Sequence, residues 1–326
     1  MISRKYKPEK YRHVMYLLEL GYLPILLAAG LVMRLYRRAG SQRLPLSTYI
    51  LRKIGIFPIR DHYYEPLFNT KHLQKSLRQP RSLPGIDFNE GKQLELLEKF
   101  NYRDEFRFFV ESESLRTDKH AFSIEGNFAS GDADFLFNFI RYTKPERVIE
   151  IGCGESTKII QKAIAKNATG TPSTSAHICI EPYEQPWLEC YPDIELIREK
   201  VENIDLKMFE NLRSGDFLFI DSSHIIRPQG DVLHEYLSII PSLTNGVVVH
   251  VHDIFSPRDY LDYWIKDQVL FWNEQYLLEA LLTQNDNYEI IAALNFLHHK
   301  YPNELKAVCP YLSADREPGS FYFRVK

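Results

Sequence analysis

The 326-residue chain is 44% hydrophobic and 25% charged, an ordinary globular balance, and its formal net charge of −3 leaves no global basic field to recruit nucleic acid. Its four cysteines, Cys153, Cys179, Cys190 and Cys309, show no C-x-x-C spacing. That argues against a zinc site or a disulfide frame and reads as reduced thiols in a cytoplasmic protein.

Residues 1–45 are expected to form a basic and apolar N-terminal segment. Arg4, Lys5, Lys7, Lys10 and Arg12 precede an apolar run from Val14 to Met33, and Arg34, Arg37, Arg38 and Arg43 follow it. As a helix, a run of that length rises about 30 Å, enough for a bilayer core. Glu19 lies inside it and Pro24 is expected to break its middle. Basic residues at both ends give no orientation, and the small-residue cleavage site of a signal peptide is absent. Three readings stand: a helical hairpin packed on the protein or on a second copy in a homodimer, peripheral contact of residues 14–33 with a membrane surface, and a true span. Residues 46–120 read as a helical and loop extension. Within it, residues 54–68 are rich in polar aromatics bracketed by prolines and are a candidate lid, with packing of an irregular arm as the plainer use. Residues 93–100 have helical spacing.

Residues 121–326 alternate. Strands are predicted near 147–152, 177–182, 194–199, 216–221, 246–252, 288–294 and 320–325, and helices near 132–142, 155–166, 205–212, 229–240 and 273–284. Continuous apolar strands such as Phe217-Leu218-Phe219-Ile220 belong in a buried, mostly parallel sheet. The expected architecture is α/β: a Rossmann-like, seven-stranded, mostly parallel sheet with helices on both faces.

The first strand runs into Glu150-Ile151-Gly152-Cys153-Gly154-Glu155-Ser156-Thr157, a glycine turn feeding a helix. Such turns hold the adenosine end of a cofactor. The dinucleotide pattern requires a third glycine where Thr157 stands. Its helix N-terminus must also face a pyrophosphate, which Glu150 and Glu155 would repel. Two carboxylates suit a ligand carrying a sulfonium and an ammonium, which points to S-adenosylmethionine. Gly152 and Gly154 allow close backbone approach, with Ser156 beside them. The second strand ends in Glu181, a carboxylate able to accept from both ribose hydroxyls.

With Asp132-Ala133-Asp134, Ile140-Arg141 and Lys144-Pro145 ahead of the first strand, then Glu181-Pro182, Ile220-Asp221-Ser222-Ser223-His224 and His252-Asp253, the chain resembles a class I S-adenosylmethionine-dependent methyltransferase. The resemblance runs from Arg147 to Ile254 and is nearest to the small bacterial methyltransferase 24 type. It implies that the first strand neighbours the fourth and the fourth the fifth, with an antiparallel last strand. Asp221, His224, His252 and Asp253 would then converge beside the sulfonium, Asp221 also touching the cofactor. Two chemistries fit these four residues. Asp221, His252 and Asp253 would hold Mg²⁺ or Mn²⁺, although His252 stands where an acid is more usual; or His224 or His252 would serve as general base. Arg258 and the aromatics Tyr260, Trp264 and Trp272, after the fifth strand, fit an acceptor pocket. The implied function is methylation of a small-molecule or sugar hydroxyl. Its rivals are a nucleotide-dependent oxidoreductase on the same architecture and a non-catalytic cofactor-binding module tethered through residues 14–33.

Overall fold

A computed structural model describes residues 12–67, 69–116, 121–169, 175–183, 185–191 and 193–326. The basic residues Arg4, Lys5, Lys7 and Lys10, and Phe68 at the end of the candidate lid, lie outside the described residues. The chain divides into two units, Met1–Ser76 and Leu77–Lys326.

In the first unit, helix α1 (Arg12–Ala39) runs unbroken for 28 residues with Pro24 inside it. The expected break, and with it the hairpin, does not occur. A proline costs one backbone bond and crowds one carbonyl, and the long runs of ladder on either side hold the helix through it. Helix α2 (Pro45–Lys53) opens with a proline at its first position, where no intrahelical N–H bond is lost. The foot of α1 is tied down. Tyr36 Oη lies 2.6 Å from Thr48 Oγ1 on α2, Arg37 stacks over Phe57 at 4.7 Å, and Arg37 and Arg60 both pair with Glu65. Burial disfavours the Glu65 charge, but bonds from Arg60 and Arg37 outweigh that and lower its pKa to about 2. Phe57, Arg60 and Glu65 of the candidate lid are therefore held at the foot of α1, while Tyr63 and Tyr64 between them are exposed.

In the second unit, helices α3 (Glu90–Lys99), α4 (Arg103–Ser114) and α5 (Asp132–Thr143) precede strand β1 (Arg147–Ile151). Then follow α6 (Glu155–Ala168), β2 (Ala176–Ile180), β3 (Glu195–Ile197), α7 (Lys207–Glu210) and β4 (Phe217–Ile220). Helix α8 (Asp231–His234) continues through a π-helical turn into α9 (Ile240–Ser242), ahead of β5 (Val248–Val251). Helix α10 (Glu274–Leu282), β6 (Tyr288–Ala293), α11 (Leu294–Lys300), α12 (Pro302–Val308) and β7 (Phe321–Val325) complete the chain. The seven strands pair in the order β3-β2-β1-β4-β5-β7-β6, with β7 antiparallel to both its neighbours and the other pairs parallel.

Side chains alternate across the sheet, and each face builds its own core. Val148, Phe217, Phe219 and Tyr322 pack under α4, α5 and α6, with Phe106, Phe109 and Phe137 stacked beside them. On the other face Ile149, Leu218, Ile220, Val249 and Phe323 meet Tyr236, Ile239 and Leu278. Helices α3 and α4 thus belong with the sheet, because Leu97, Phe106 and Phe109 are buried in its core rather than in a separate extension. Helices α11 and α12, seven residues each, are too short to show helical periodicity and are not among the predicted elements.

Candidate active site

Parallel strands bring their carboxyl ends to one edge. The N–H of Asp221 bonds to Ile151 O and that of His252 to Ile220 O, both at 2.9 Å. Asp221 and His252 therefore sit one residue beyond β4 and β5, level with the glycine turn after β1. Gly152 has φ of +80°, and a Cβ there would lie 1.9 Å from Asp221 O. Its glycine is required by the neighbouring backbone. Gly154 faces open space, leaving room for a ligand against its backbone. Thr157, at the position of the missing third glycine, accepts the Gly154 N–H at 3.1 Å and caps α6.

The acids near the turn divide into two kinds. Glu181 is nearly buried and receives the N–H groups of Cys153 (3.1 Å) and Tyr183 (2.8 Å), one on each oxygen. It is a preset carboxylate with lone pairs to spare. Glu150 is fully buried beneath the turn. It accepts from Ser156 Oγ at 2.6 Å and meets His177 Nε2 at 2.9 Å. Glu150 and Ser156 consequently brace the turn from inside. The sequence shows Glu150 on β1 but not its partner, which arrives when β2 pairs alongside.

The His177 imidazole is wholly buried; burial favours its neutral form, but Cys179 and Glu150 prevail and raise its pKa to about 9. A raised folded pKa contributes stability fully present below the unfolded value of 6.5 and lost as pH climbs through about 9. Glu150→Gln is expected to cost about 3 kcal/mol by stranding a buried charge. It should also flatten the decline in melting temperature between pH 6.5 and 9, measured by calorimetry across that range. A decline as steep as in the wild type would show that another group sets it.

At the ends of β4 and β5, two imidazoles lie among four carboxylates. His224 Nε2 is 3.3 Å from Asp221 and 3.5 Å from Asp253, and its Nδ1 is 2.8 Å from Glu274. His252 Nδ1 is 3.4 Å from Asp221 and 3.7 Å from Asp253, while its Nε2 is 3.9 Å from Asp132. Burial works against a charge on either imidazole, and the carboxylates overrule it, raising both pKa values well above normal. Burial likewise opposes the Asp221 charge, yet His252 and His224 hold its pKa well below the carboxylate range. Asp253 moves upward, through burial first. His224 (φ +61°) and Asp253 (φ +58°) both take the left-handed conformation, strain of the kind that collects at functional sites. All four strand-end residues singled out by sequence are thus brought together.

Sequence reasoning did not assign Glu274 or Asp132 to this site. Glu274 is fully buried, takes a bond from Tyr236 Oη, and comes from α10, fifty residues beyond His224. Asp132, at the start of α5, accepts the N–H groups of Gly319 and Ser320. His250 is a core histidine bonded to Ser320 Oγ. The Trp272 ring lies 4.4 Å from His224, and Tyr260, Trp264 and Trp272 pack on one another beside it. Arg258 spends its Nε on the Arg78 carbonyl. Residues 77–81 strap the loop after β5: Arg81 grips Glu279 with two nitrogens and its N–H bonds to Pro257 O.

Two groups could offer three ligands to a metal among the described residues. In Glu150, His177 and Cys179 every member is buried and the nitrogen and carboxylate already serve each other. In Asp221, His252 and Asp253 the donor atoms lie within 4.8 Å of one another, and the buried His252 Nδ1 has no hydrogen-bond partner. Two carboxylates and an imidazole nitrogen that faces them without a hydrogen bond fit a divalent cation.

Residues 149–254, which carry both the glycine turn and the strand-end cluster, match the methyltransferase 24 family model, described as a methyltransferase domain. The chain belongs to the class I S-adenosylmethionine-dependent methyltransferases. The oxidoreductase and non-catalytic readings give way to this one. The methyltransferase is 30% identical over 175 residues to an "Uncharacterized protein" of Archaeoglobus fulgidus, spanning 50% of this chain and 77% of that one. Similar solved structures include the plantazolicin methyltransferase BpumL in complex with a triazolic desmethylPZN analog and SAH, at 13% identity and a TM-score of 0.35 over 73% of this methyltransferase and 98% of that chain. A putative methyltransferase from Thermobifida fusca YX is 9% identical, with a TM-score of 0.35 over 76% and 96% of the two chains.

Proposed function

We propose that this methyltransferase acts in the cytoplasm on a hydroxyl of a small molecule or sugar, at the carboxyl ends of β4 and β5. The observation that carries the reading is the meeting of Asp221, His224, His252 and Asp253 beside the glycine turn, with His252 Nδ1 buried between two carboxylates and making no hydrogen bond. S-adenosylmethionine supplies the electrophilic methyl group. Glu181 accepts from the ribose hydroxyls, the Gly152–Gly154 backbone lies along the cofactor, and Glu150 and Ser156 support that backbone from below. Asp221, His252 and Asp253 would hold Mg²⁺ or Mn²⁺, which when bound would polarise an acceptor oxygen.

His224 Nε2 would take the hydroxyl proton once the proton it carries at rest, favoured by its raised pKa, has passed to Asp221 or Asp253. The imidazolium so formed is the state that Asp221, Asp253 and Glu274 stabilise, and Glu274 fixes the ring through Nδ1. Trp272 and its neighbours shield this face from water and offer rings for a sugar or aromatic acceptor. In-line displacement requires the acceptor oxygen to be aligned with the S–CH₃ bond, which the loop after β5 is suited to enforce.

Two measurements test the assignment. Calorimetric titration of Glu181→Ala with S-adenosylmethionine should show affinity down by about 10- to 100-fold, the cost of losing a charged acceptor for two hydroxyls. Unchanged affinity would remove Glu181 from the ribose. Turnover on a panel of sugar and phenolic hydroxyls, followed by S-adenosylhomocysteine release, should stop with chelator and return with Mg²⁺ or Mn²⁺. A rate indifferent to both would leave His224 without a metal beside it.

A further inference from the structure

Charge is segregated along this chain. Residues 1–76 hold fourteen Lys and Arg against four Asp and Glu, a net of +10, which leaves −13 on the rest. The same unit carries α1, whose apolar side chains are exposed: Leu23 47%, Ile25 72%, Leu26 56%, Leu27 65%, Leu31 53% and Val32 62%. At 100° per residue these six fall on every side of the helix. A helix made to lie in a membrane surface keeps a polar face, whereas one apolar all round is built to be surrounded by hydrocarbon.

Length agrees. The residues from Val14 to Met33 rise about 30 Å, the thickness of a bilayer core. Their one charge, Glu19, is about 8 Å from the end of that run, near enough for its carboxylate to reach the headgroup layer. Arg34 and Arg38, both exposed, then follow at the level where cationic side chains meet phosphates. At this level the Tyr36–Thr48 bond fixes α2 to the foot of α1. Just beyond α1, the turn at residues 41–43 and α2 form an open cleft of about 470 Å³ lined by Ser41, Gln42, Thr48, Tyr49, Arg52 and Lys53. Leu46, Tyr49 and Ile50 are exposed on α2, and Arg52 and Lys53 are exposed at its end. Apolar and cationic groups side by side at the mouth of a hydrocarbon-length helix match the boundary of an anionic bilayer.

We propose that residues 12–53 embed this enzyme in an anionic phospholipid bilayer, with α1 crossing the hydrocarbon and the cleft at its foot taking a headgroup phosphate. The positive unit draws the chain to the membrane, and the helix holds the negative catalytic unit there against its own repulsion. This inference does not depend on the acceptor, so it stands or falls apart from the methylation reading.

The test uses the full-length protein, purified in detergent and reconstituted with vesicles of phosphatidylcholine alone or mixed with phosphatidylglycerol. The protein should float with both, more completely with the anionic ones, and should stay with them through an alkaline carbonate wash. Leu27→Lys should lose carbonate resistance while still binding S-adenosylmethionine, which shows that its catalytic unit is folded. Arg52→Ala with Lys53→Ala should keep carbonate resistance and lose the preference for phosphatidylglycerol. Release by carbonate would overturn the crossing. A lipid-free dimer by light scattering that does not float would mean that a second copy covers α1. An intact mass lacking residues 1–39 would mean that the helix is a removed leader. Loss of the anionic preference in millimolar inorganic phosphate would assign the cleft to a soluble anion.

Discussion

Asp221→Asn is expected to reduce turnover by about 10²- to 10⁴-fold with little change in melting temperature. Asp221 lies 3.3 Å from His224 Nε2 and 3.4 Å from His252 Nδ1, so one carboxylate serves both imidazoles and one corner of the candidate metal group. Asn matches Asp in size, so the change leaves no cavity, and Asp253, Glu274 and Asp132 remain beside the two imidazoles to hold their charge. The loss should fall on turnover far more than on affinity for S-adenosylmethionine, because Glu181 and the glycine turn are untouched. Single-turnover rates beside calorimetric binding separate the two. An equal loss in both would make Asp221 a cofactor ligand first. A variant within threefold of the wild type would remove the β4–β5 cluster from the chemistry.

Gly152→Ala is expected to be strongly destabilising. The added methyl would stand 1.9 Å from the Asp221 carbonyl oxygen, a backbone atom held in the β1–β4 ladder, and at φ of +80°. Strain in that region and overpacking against backbone each cost about 1–3 kcal/mol, so a loss of about 2–6 kcal/mol is expected. Relief can come only by moving the turn away from β4, which also moves Glu181's partner Cys153. Melting temperature and S-adenosylmethionine affinity should therefore fall together. Gly154→Ala, with open space at its Cβ, should cost little stability and act on affinity. If Gly152→Ala folds and binds like the wild type, the close approach to Asp221 is not rigid.

Much of this was legible in the sequence because it is periodic or local. Continuous apolar strands alternating with helices specify a buried parallel sheet, and a strand that ends in two glycines and an acid announces a ligand-binding turn. Charges at the ends of predicted strands converge for a reason the sequence does carry: parallel strands share one carboxyl edge. Asp221, His224, His252 and Asp253 were found by that rule and lie within hydrogen-bonding or ion-pairing reach of one another.

What escaped depended on partners distant in the chain. Glu150 and Ser156 appear in the turn as ligand contacts, yet they face inward, because β2 lays His177 and Cys179 against β1. Glu274 reads as one acid in an aromatic helix until α10 brings it to His224. Pro24 reads as a break, and only the full length of ladder around it keeps α1 whole. The sequence by itself determined the order of elements, the ligand turn and the identity of the strand-end groups, since each follows from side-chain period and residue type. Tertiary structure alone decided which carboxylate faces a ligand and which a buried histidine, because the cost of burying a charge depends on a partner that only folding supplies.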